Sequence, residues 1–228
     1  MSRKKKAVVM LSGGIDSAVC AAIVKQEGYE IAALHLNYGQ KTQSKELECF
    51  YKLIEHFGVV ESLVVDVSHL SKIGGSSLTD ENIPVDEASS TGNDEIPTSY
   101  VPFRNGNILA IAASWAEVIG AETLVIGAMQ VDYSGYPDCR REFFDAMEKA
   151  INLGTKHDTH LKILTPIINF TKAEVVKKGL ALGVPFEFTW SCYANTDEAC
   201  GKCDSCKIRL NGFKQAGVVD PLKYKIFS

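Results

Sequence analysis

The stretch from Ala7 to Glu27 constrains the fold of this chain more than any other. Ala7-Val8-Val9-Met10-Leu11 is an unbroken apolar run, the pattern of a parallel strand covered on both faces. Leu11-Ser12-Gly13-Gly14-Ile15-Asp16-Ser17 follows, and its paired glycines allow a sharp turn and close approach of the backbone to a ligand. Ser17 to Glu27 then reads as a largely apolar helix, with Gly28 where a helix C-terminus takes positive φ. In such a strand–turn–helix unit, the free N–H groups of the helix's first turn point at whatever fills the turn. The positive end of the helix dipole lies behind them. Ser12 and Ser17 add hydroxyl donors, so the turn is a nest for phosphate.

The same alternation continues downstream. Strands are expected at Ile31–Leu36, Leu63–Val67, Thr123–Ile126 and, more briefly, Ile163–Leu164. Helices are expected at Thr42–Phe57, Ile108–Ile119 and Arg141–Leu153. A further helix opens on a capping box, Thr171 with Glu174, and stops at Gly183 before Pro185. The fold class is therefore α/β: a parallel sheet with helices on both faces, followed by a C-terminal metal-binding segment. Residues 1–185 form the expected nucleotide-binding domain and 186–228 the appended segment. Between Ser68 and Tyr100 the pattern dissolves into small, polar and acidic residues, so this stretch is either a lid or disordered.

At 228 residues with a net charge of −4, the chain shows no overall basic footprint for nucleic acid. No apolar run reaches the roughly 18 residues a bilayer span needs, and the run after Arg3-Lys4-Lys5-Lys6 is too short for a signal-peptide core. Small-molecule partners, no nucleic acid, no membrane and a cytoplasmic location are expected, with the seven cysteines as reduced thiols or metal ligands.

Four of those cysteines, Cys192, Cys200, Cys203 and Cys206, are spaced Cys-x7-Cys-x2-Cys-x2-Cys. Two-residue gaps let thiolates converge on one ion, and four sulfurs suit structural Zn²⁺; an iron–sulfur cluster uses the same ligand type. Loss of the metal is expected to loosen the last third of the chain while leaving the nucleotide turn intact. Cys20 and Cys49, each within an expected helix, read as core or surface fillers, and His157 and His160 as residues of a solvated loop.

The turn lacks the lysine of a Walker A motif, and SGGIDS instead resembles the SGGxDS signature of the PP-loop ATP pyrophosphatases. Further strings narrow the branch: Asn37-Tyr38-Gly39-Gln40, Val101-Pro102-Phe103-Arg104-Asn105, Gly127 after a strand, Asp132-Tyr133-Ser134-Gly135-Tyr136-Pro137-Asp138-Cys139-Arg140, and Thr189-Trp190-Ser191-Cys192-Tyr193. Together they resemble the 7-cyano-7-deazaguanine synthase family, the nitrile-forming enzymes of queuosine biosynthesis, over nearly the whole chain. The resemblance implies ATP with Mg²⁺, structural Zn²⁺, a homodimer, and a ligase acting on a deazaguanine carboxylate and ammonia through adenylates.

It assigns Leu11, Ser12, Gly13, Gly14, Ile15, Asp16, Ser17, Ala18, Val19, Cys20 and Ala21 to the nucleotide, with Gly127, and Arg104 and Lys172 as cationic contacts to its phosphates. Asp16, Ser17, Asp132 and Asp138 become the expected catalytic residues. Gln40, Tyr133, Tyr136, Asp138 and Arg140 become the expected substrate contacts: tyrosines to stack on a purine-like ring, Asp132 and Asp138 to hold Mg²⁺ or accept ring N–H groups, Arg140 to meet an anion. Two other readings remain open, a PP-loop tRNA sulfurtransferase using Cys139 or an iron–sulfur cluster, and a non-catalytic nucleotide-binding module.

Overall fold

A computed structural model describes residues 4–85, 96–130 and 135–225. Its centre is a five-stranded, fully parallel sheet built from β1 (Lys6–Met10), β2 (Glu30–Asn37), β3 (Glu61–Asp66), β4 (Thr123–Val125) and β5 (Lys162–Leu164), in the order β3-β2-β1-β4-β5. The helices are α1 (Ile15–Gln26), α2 (Gln43–Phe57), α3 (His69–Ile73), α4 (Arg104–Ile119), α5 (Arg141–Gly154), α6 (Lys172–Ala181) and α7 (Asp204–Ala216).

The unbroken apolar run of β1 is explained by its central place. Val8 and Met10 face a core shared with α3, α4 and α5, including Leu70, Leu109, Ala112, Phe144 and Ile151. Ala7, Val9 and Leu11 face the other core, shared with α1, α2, α6 and α7 through Val19, Phe50, Leu53, Val176 and Phe213. Each fully buried valine of such a strand stabilises the fold by about 1.5–3 kcal/mol. Helix α1 is covered nearly all round, which is why its sequence is apolar without a polar face.

The expected capping box is present: Thr171 accepts from the Glu174 N–H, and the Glu174 carboxylate accepts from the Thr171 N–H at 2.8 Å. Three helices go beyond the sequence expectation, the first being the short α3 in the stretch after β3. Helix α4 starts at Arg104 rather than Ile108. Helix α7 buries Cys206, Arg209, Gly212 and Phe213; that face has helical spacing but is made of a thiol, a cation, a glycine and one aromatic ring, so apolar periodicity does not reveal it.

The polar stretch after β3 is ordered where it is described. Ser76 and Ser77 are fully buried, the Ser77 N–H donates to Thr98 O at 2.8 Å and the Lys41 N–H to Leu78 O at 3.1 Å. Residues 86–95 lie outside the described residues. Among the described residues, no helix is long and apolar enough to cross a membrane.

The crossover through α1 leaves β1 on one face of the sheet, and α4 returns to β4 on the other face. The strand order reverses between β1 and β4, and the crevice at their C-terminal ends is where open α/β sheets hold ligands.

Candidate active site

The loop after β1 is pinned into a cradle by its own hydroxyls. Ser17 Oγ accepts from the Ser12 N–H at 3.2 Å and donates to Gly14 O at 3.1 Å. The Ser12 and Ser17 hydroxyls share a hydrogen bond at 3.1 Å, and the Gly14 N–H donates to Ser12 Oγ at 3.3 Å. Gly13 takes φ of +88°, and a Cβ there would stand 2.6 Å from Glu46 O. Across the crevice, a Cβ on Gly127 would stand 2.9 Å from both the Asp16 carbonyl carbon and the Ser17 nitrogen, so the loop after β4 touches backbone at the start of α1.

His35 supports the same loop from below. Burial holds its pKa below the ordinary imidazole value, so the ring is neutral, and Nδ1–H donates to Leu11 O at 3.0 Å. At the mouth of the cradle, Lys172 Nζ donates to both Asp16 carboxylate oxygens at 2.7 and 2.8 Å and lies 3.3 Å from Met129 Sδ.

The cradle forms one part of a cleft of about 670 Å³. The strand ends contribute an apolar floor of Met10, Leu34, Leu36 and Ile126. A second part is polar and aromatic: Tyr38, Ser99, Arg104, Tyr136, Cys139 and Tyr193. Arg104 lies over the Tyr38 ring at 5.6 Å with Nη1 3.4 Å from its hydroxyl. Ser99 and Tyr136 share a hydrogen bond at 2.8 Å. Burial pushes the Cys139 thiol up to about 11, which keeps it protonated and a poor nucleophile.

The four cysteines of the C-terminal segment converge, with their Sγ atoms all within 4.8 Å of one another and all four residues buried. Tetrahedral Zn–S bonds of about 2.3 Å place sulfurs roughly 3.8 Å apart, and Cys200 Sγ to Cys206 Sγ is 3.9 Å. Backbone N–H groups of Ala194, Asn195 and Cys200 donate to Cys192 Sγ, and those of Lys202 and Cys203 to Cys200 Sγ. One ion fits this spacing; a multi-iron cluster would hold its sulfurs farther apart. Four thiolates leave no open coordination position, so the site is suited to structural zinc.

This segment also reaches the cradle. The Trp190 N–H donates to Gly13 O at 2.9 Å, and the indole N–H is held by Cys192 O and Asn195 O, both at 3.1 Å. Behind it, Arg209 is almost fully buried and grips Asp220 at 2.7 and 3.0 Å, Thr189 Oγ1 at 2.8 Å and Phe186 O at 3.2 Å. A backbone hydrogen bond therefore joins the nucleotide turn to the cysteine segment.

The family described as "Queuosine biosynthesis protein QueC" matches residues 6–217. This chain belongs to the QueC family. Curated relatives include the 7-cyano-7-deazaguanine synthase of Chlorobaculum parvum, 52% identical over 221 residues, covering 97% of both chains. That of Chloroherpeton thalassium is 54% identical over 221 residues, again covering 97% of both. Among solved structures, a 4-thiouridine synthetase in complex with RNA and bound ATP matches with a TM-score of 0.50 and 18% identity, over 93% of this chain and 50% of that one. At that identity the likeness shows the fold alone.

Within this QueC chain, the expected site residues divide into three groups. Ser12, Gly14, Ile15, Asp16, Ser17, Arg104, Gly127, Tyr136 and Lys172 all line the cleft. Asp132 and Tyr133 lie outside the described residues. The rest do not line the cleft, and Arg104 lines it away from the cradle. Ala18, Val19, Cys20 and Ala21 are buried in the core of α1; Leu11 and Gly13 shape the cradle from behind. Gln40 is buried, with Oε1 accepting from the Tyr38 N–H and Nε2 donating to Glu46, so it braces the Tyr38 loop. Arg140 points to solvent and donates to Pro137 O. Arg104 contacts Tyr38 rather than the cradle. Tyr38, Tyr193, Trp190 and Arg209 stand in the quoted strings or beside them, yet residue type alone did not give their roles.

Asp138 is also displaced from the expected role. It is buried, does not line the cleft, and accepts from the Asn105 N–H at 2.8 Å, where it steadies the first turn of α4. Burial raises its pKa above the ordinary carboxylate value. A raised folded pKa means the contribution of this group to stability is full below the unfolded value and is lost as pH rises through the folded one. Asp138→Asn keeps a neutral acceptor for Asn105. The variant should gain stability relative to the native chain as pH is raised through the carboxylate range, read as the difference in urea midpoint. A difference that stays constant with pH would place the charge elsewhere.

Proposed function

We propose that this QueC chain converts 7-carboxy-7-deazaguanine and ammonia to 7-cyano-7-deazaguanine with two molecules of ATP; its relatives are named 7-cyano-7-deazaguanine synthases. The observation that carries this reading is the sharing of one cleft by a phosphate cradle and an aromatic chamber holding a guanidinium. Residues 1–185 supply the cradle and most of the chamber, and residues 186–228 close both.

The substrate carboxylate oxygen attacks the α-phosphorus, releasing pyrophosphate and leaving an acyl-adenylate. Ammonia adds, AMP and a proton leave, and an amide results. The amide oxygen attacks the α-phosphorus of a second ATP, releasing a second pyrophosphate, and loss of AMP and the two amide protons gives the nitrile. Ser12, Ser17, the α1 N–H groups and Lys172 stabilise charge as pyrophosphate departs. Ile15 and Gly14 bring backbone close to it. Asp16, a carboxylate at the cradle, would hold Mg²⁺, which would supply charge neutralisation. The thiolate zinc site takes no part in these steps. The buried free thiols suit a reducing compartment, the cytoplasm.

Mass spectrometry of the products from ATP, ammonium and the deazaguanine acid is the test. A product of nitrile mass with AMP in twofold ratio is expected. AMP formation without any nitrile, or no consumption of the acid, would overturn the reading.

A further inference from the structure

We propose that Arg104, ringed by Tyr38, Tyr136 and Tyr193, is the subsite that receives the substrate's carboxylate and separates the acid from its amide. This rests on the function proposed above and assigns the guanidinium to the substrate rather than to ATP.

Three charge relationships single Arg104 out. Lys172 is paired with Asp16 and Arg209 with Asp220, whereas Arg104 forms no salt bridge among the described residues. The nearby acid, Asp138, is turned to the Asn105 N–H and lies off the cleft. A cation partly withdrawn from water without an acid partner is poorly compensated, and an incoming carboxylate offsets that cost through charge-assisted hydrogen bonds.

The surroundings suit that ligand. Burial raises the phenols of Tyr38 and Tyr136, and the neighbouring Tyr136 phenol together with burial raises that of Tyr193. All three stay neutral, so none competes for the guanidinium as an anion. Their rings form flat walls for an aromatic acid. The Tyr38 hydroxyl is already 3.4 Å from Arg104 Nη1, and that of Tyr136 is fixed by Ser99.

The backbone entering Arg104 is strained. Arg104 follows Phe103, whose φ of 54° makes it the one non-glycine residue with positive φ among those described. The Phe103 ring lies so close over Gly106 that a Cβ there would meet it at 2.3 Å. Such backbone strain persists where surrounding contacts enforce it.

Position separates the two anion sites. Tyr38, Tyr136 and Tyr193 pack with the core on the α4 side of the sheet, whereas the cradle opens α1 on the opposite side. An acid anchored at Arg104 would extend across the strand ends toward the phosphates. Once the amide forms, the ion pair is gone, so acid and amide should differ in their dependence on this one side chain.

The experiment compares Arg104→Gln and Arg104→Lys with the native chain, using the acid and the 7-carboxamide as separate substrates. ATP affinity is measured by calorimetry and folding by thermal melting. Arg104→Gln should raise KM for the acid by about 10–100-fold, the range for a lost charged hydrogen bond. KM for the amide and affinity for ATP should stay unchanged. Arg104→Lys should recover part of the loss, because it keeps the charge without the planar fork. Equal losses for acid and amide, or weakened ATP binding, would make Arg104 a phosphate contact and overturn the assignment. Should the native chain consume neither compound, the proposed function itself fails and takes the ligand of this subsite with it.

Discussion

Gly127→Ala should lower AMP formation at saturating ATP by about 10²-fold or more, the scale expected when reacting groups are misplaced by about 1 Å. The added methyl would stand 2.9 Å from the Asp16 carbonyl carbon and the Ser17 nitrogen. Both are backbone atoms, so no side chain can rotate aside. Either the loop after β4 retreats or the first turn of α1 moves, and the N–H groups that face the phosphates move with it. Overpacking of this kind usually costs about 1–3 kcal/mol, small enough for the variant to fold. Gly154→Ala is the control, since a Cβ there meets nothing within 4 Å. Native turnover in Gly127→Ala would remove the cradle from the chemistry.

Cys203→Ser should lose zinc, become protease-sensitive after about Phe186, and bind ATP more weakly. Metal binding supplies folding free energy at such sites, about 10–16 kcal/mol in isolated zinc-finger peptides. Here the loss should be smaller, because Phe213 is seated in the core and Arg209 holds Asp220 independently of the thiolates. The Trp190 indole, by contrast, hydrogen-bonds only to carbonyls of the cysteine loop itself among the described residues, Cys192 O and Asn195 O, with Lys45 lying over its ring. The bond from the Trp190 backbone N–H to Gly13 O is therefore the link that should fail. Asp220→Asn provides the converse case. It breaks the buried pair, at a cost of about 3–5 kcal/mol, and should keep zinc while loosening α7. Zinc content, limited proteolysis and ATP titration read all three effects. A zinc-free variant that stays protease-resistant with native ATP affinity would show the knot to be dispensable.

The first strand, the cradle and the first helix were legible because hydrophobic pattern and chemistry coincide there. A run buried on both faces, two glycines and two hydroxyls allow few other structures. Helix α7 was illegible for the opposite reason: its buried face is satisfied by metal, by an ion pair and by close approach at Gly212, none of which has an apolar signature.

The string around Tyr136 shows the intermediate case. Residue type pointed to a wall of the cleft but not to which side chains face it. Pro137–Cys139 is a 3₁₀ turn, in which residues three apart lie on the same side. Tyr136 and Cys139 therefore line the cleft, while Asp138 turns inward to Asn105 and Arg140 outward to solvent. The direction of a side chain follows from backbone geometry that a loop sequence does not announce.

The hydrogen bond between Trp190 and Gly13 joins parts of the chain that are made far apart in time. At a synthesis rate of about 5–20 residues per second, the cradle leaves the ribosome roughly 10–35 seconds before the residue that caps it. A nascent chain thus has a phosphate-binding turn long before it has a closed site. The closed site is expected only when the last segment has emerged and folded back onto the cradle.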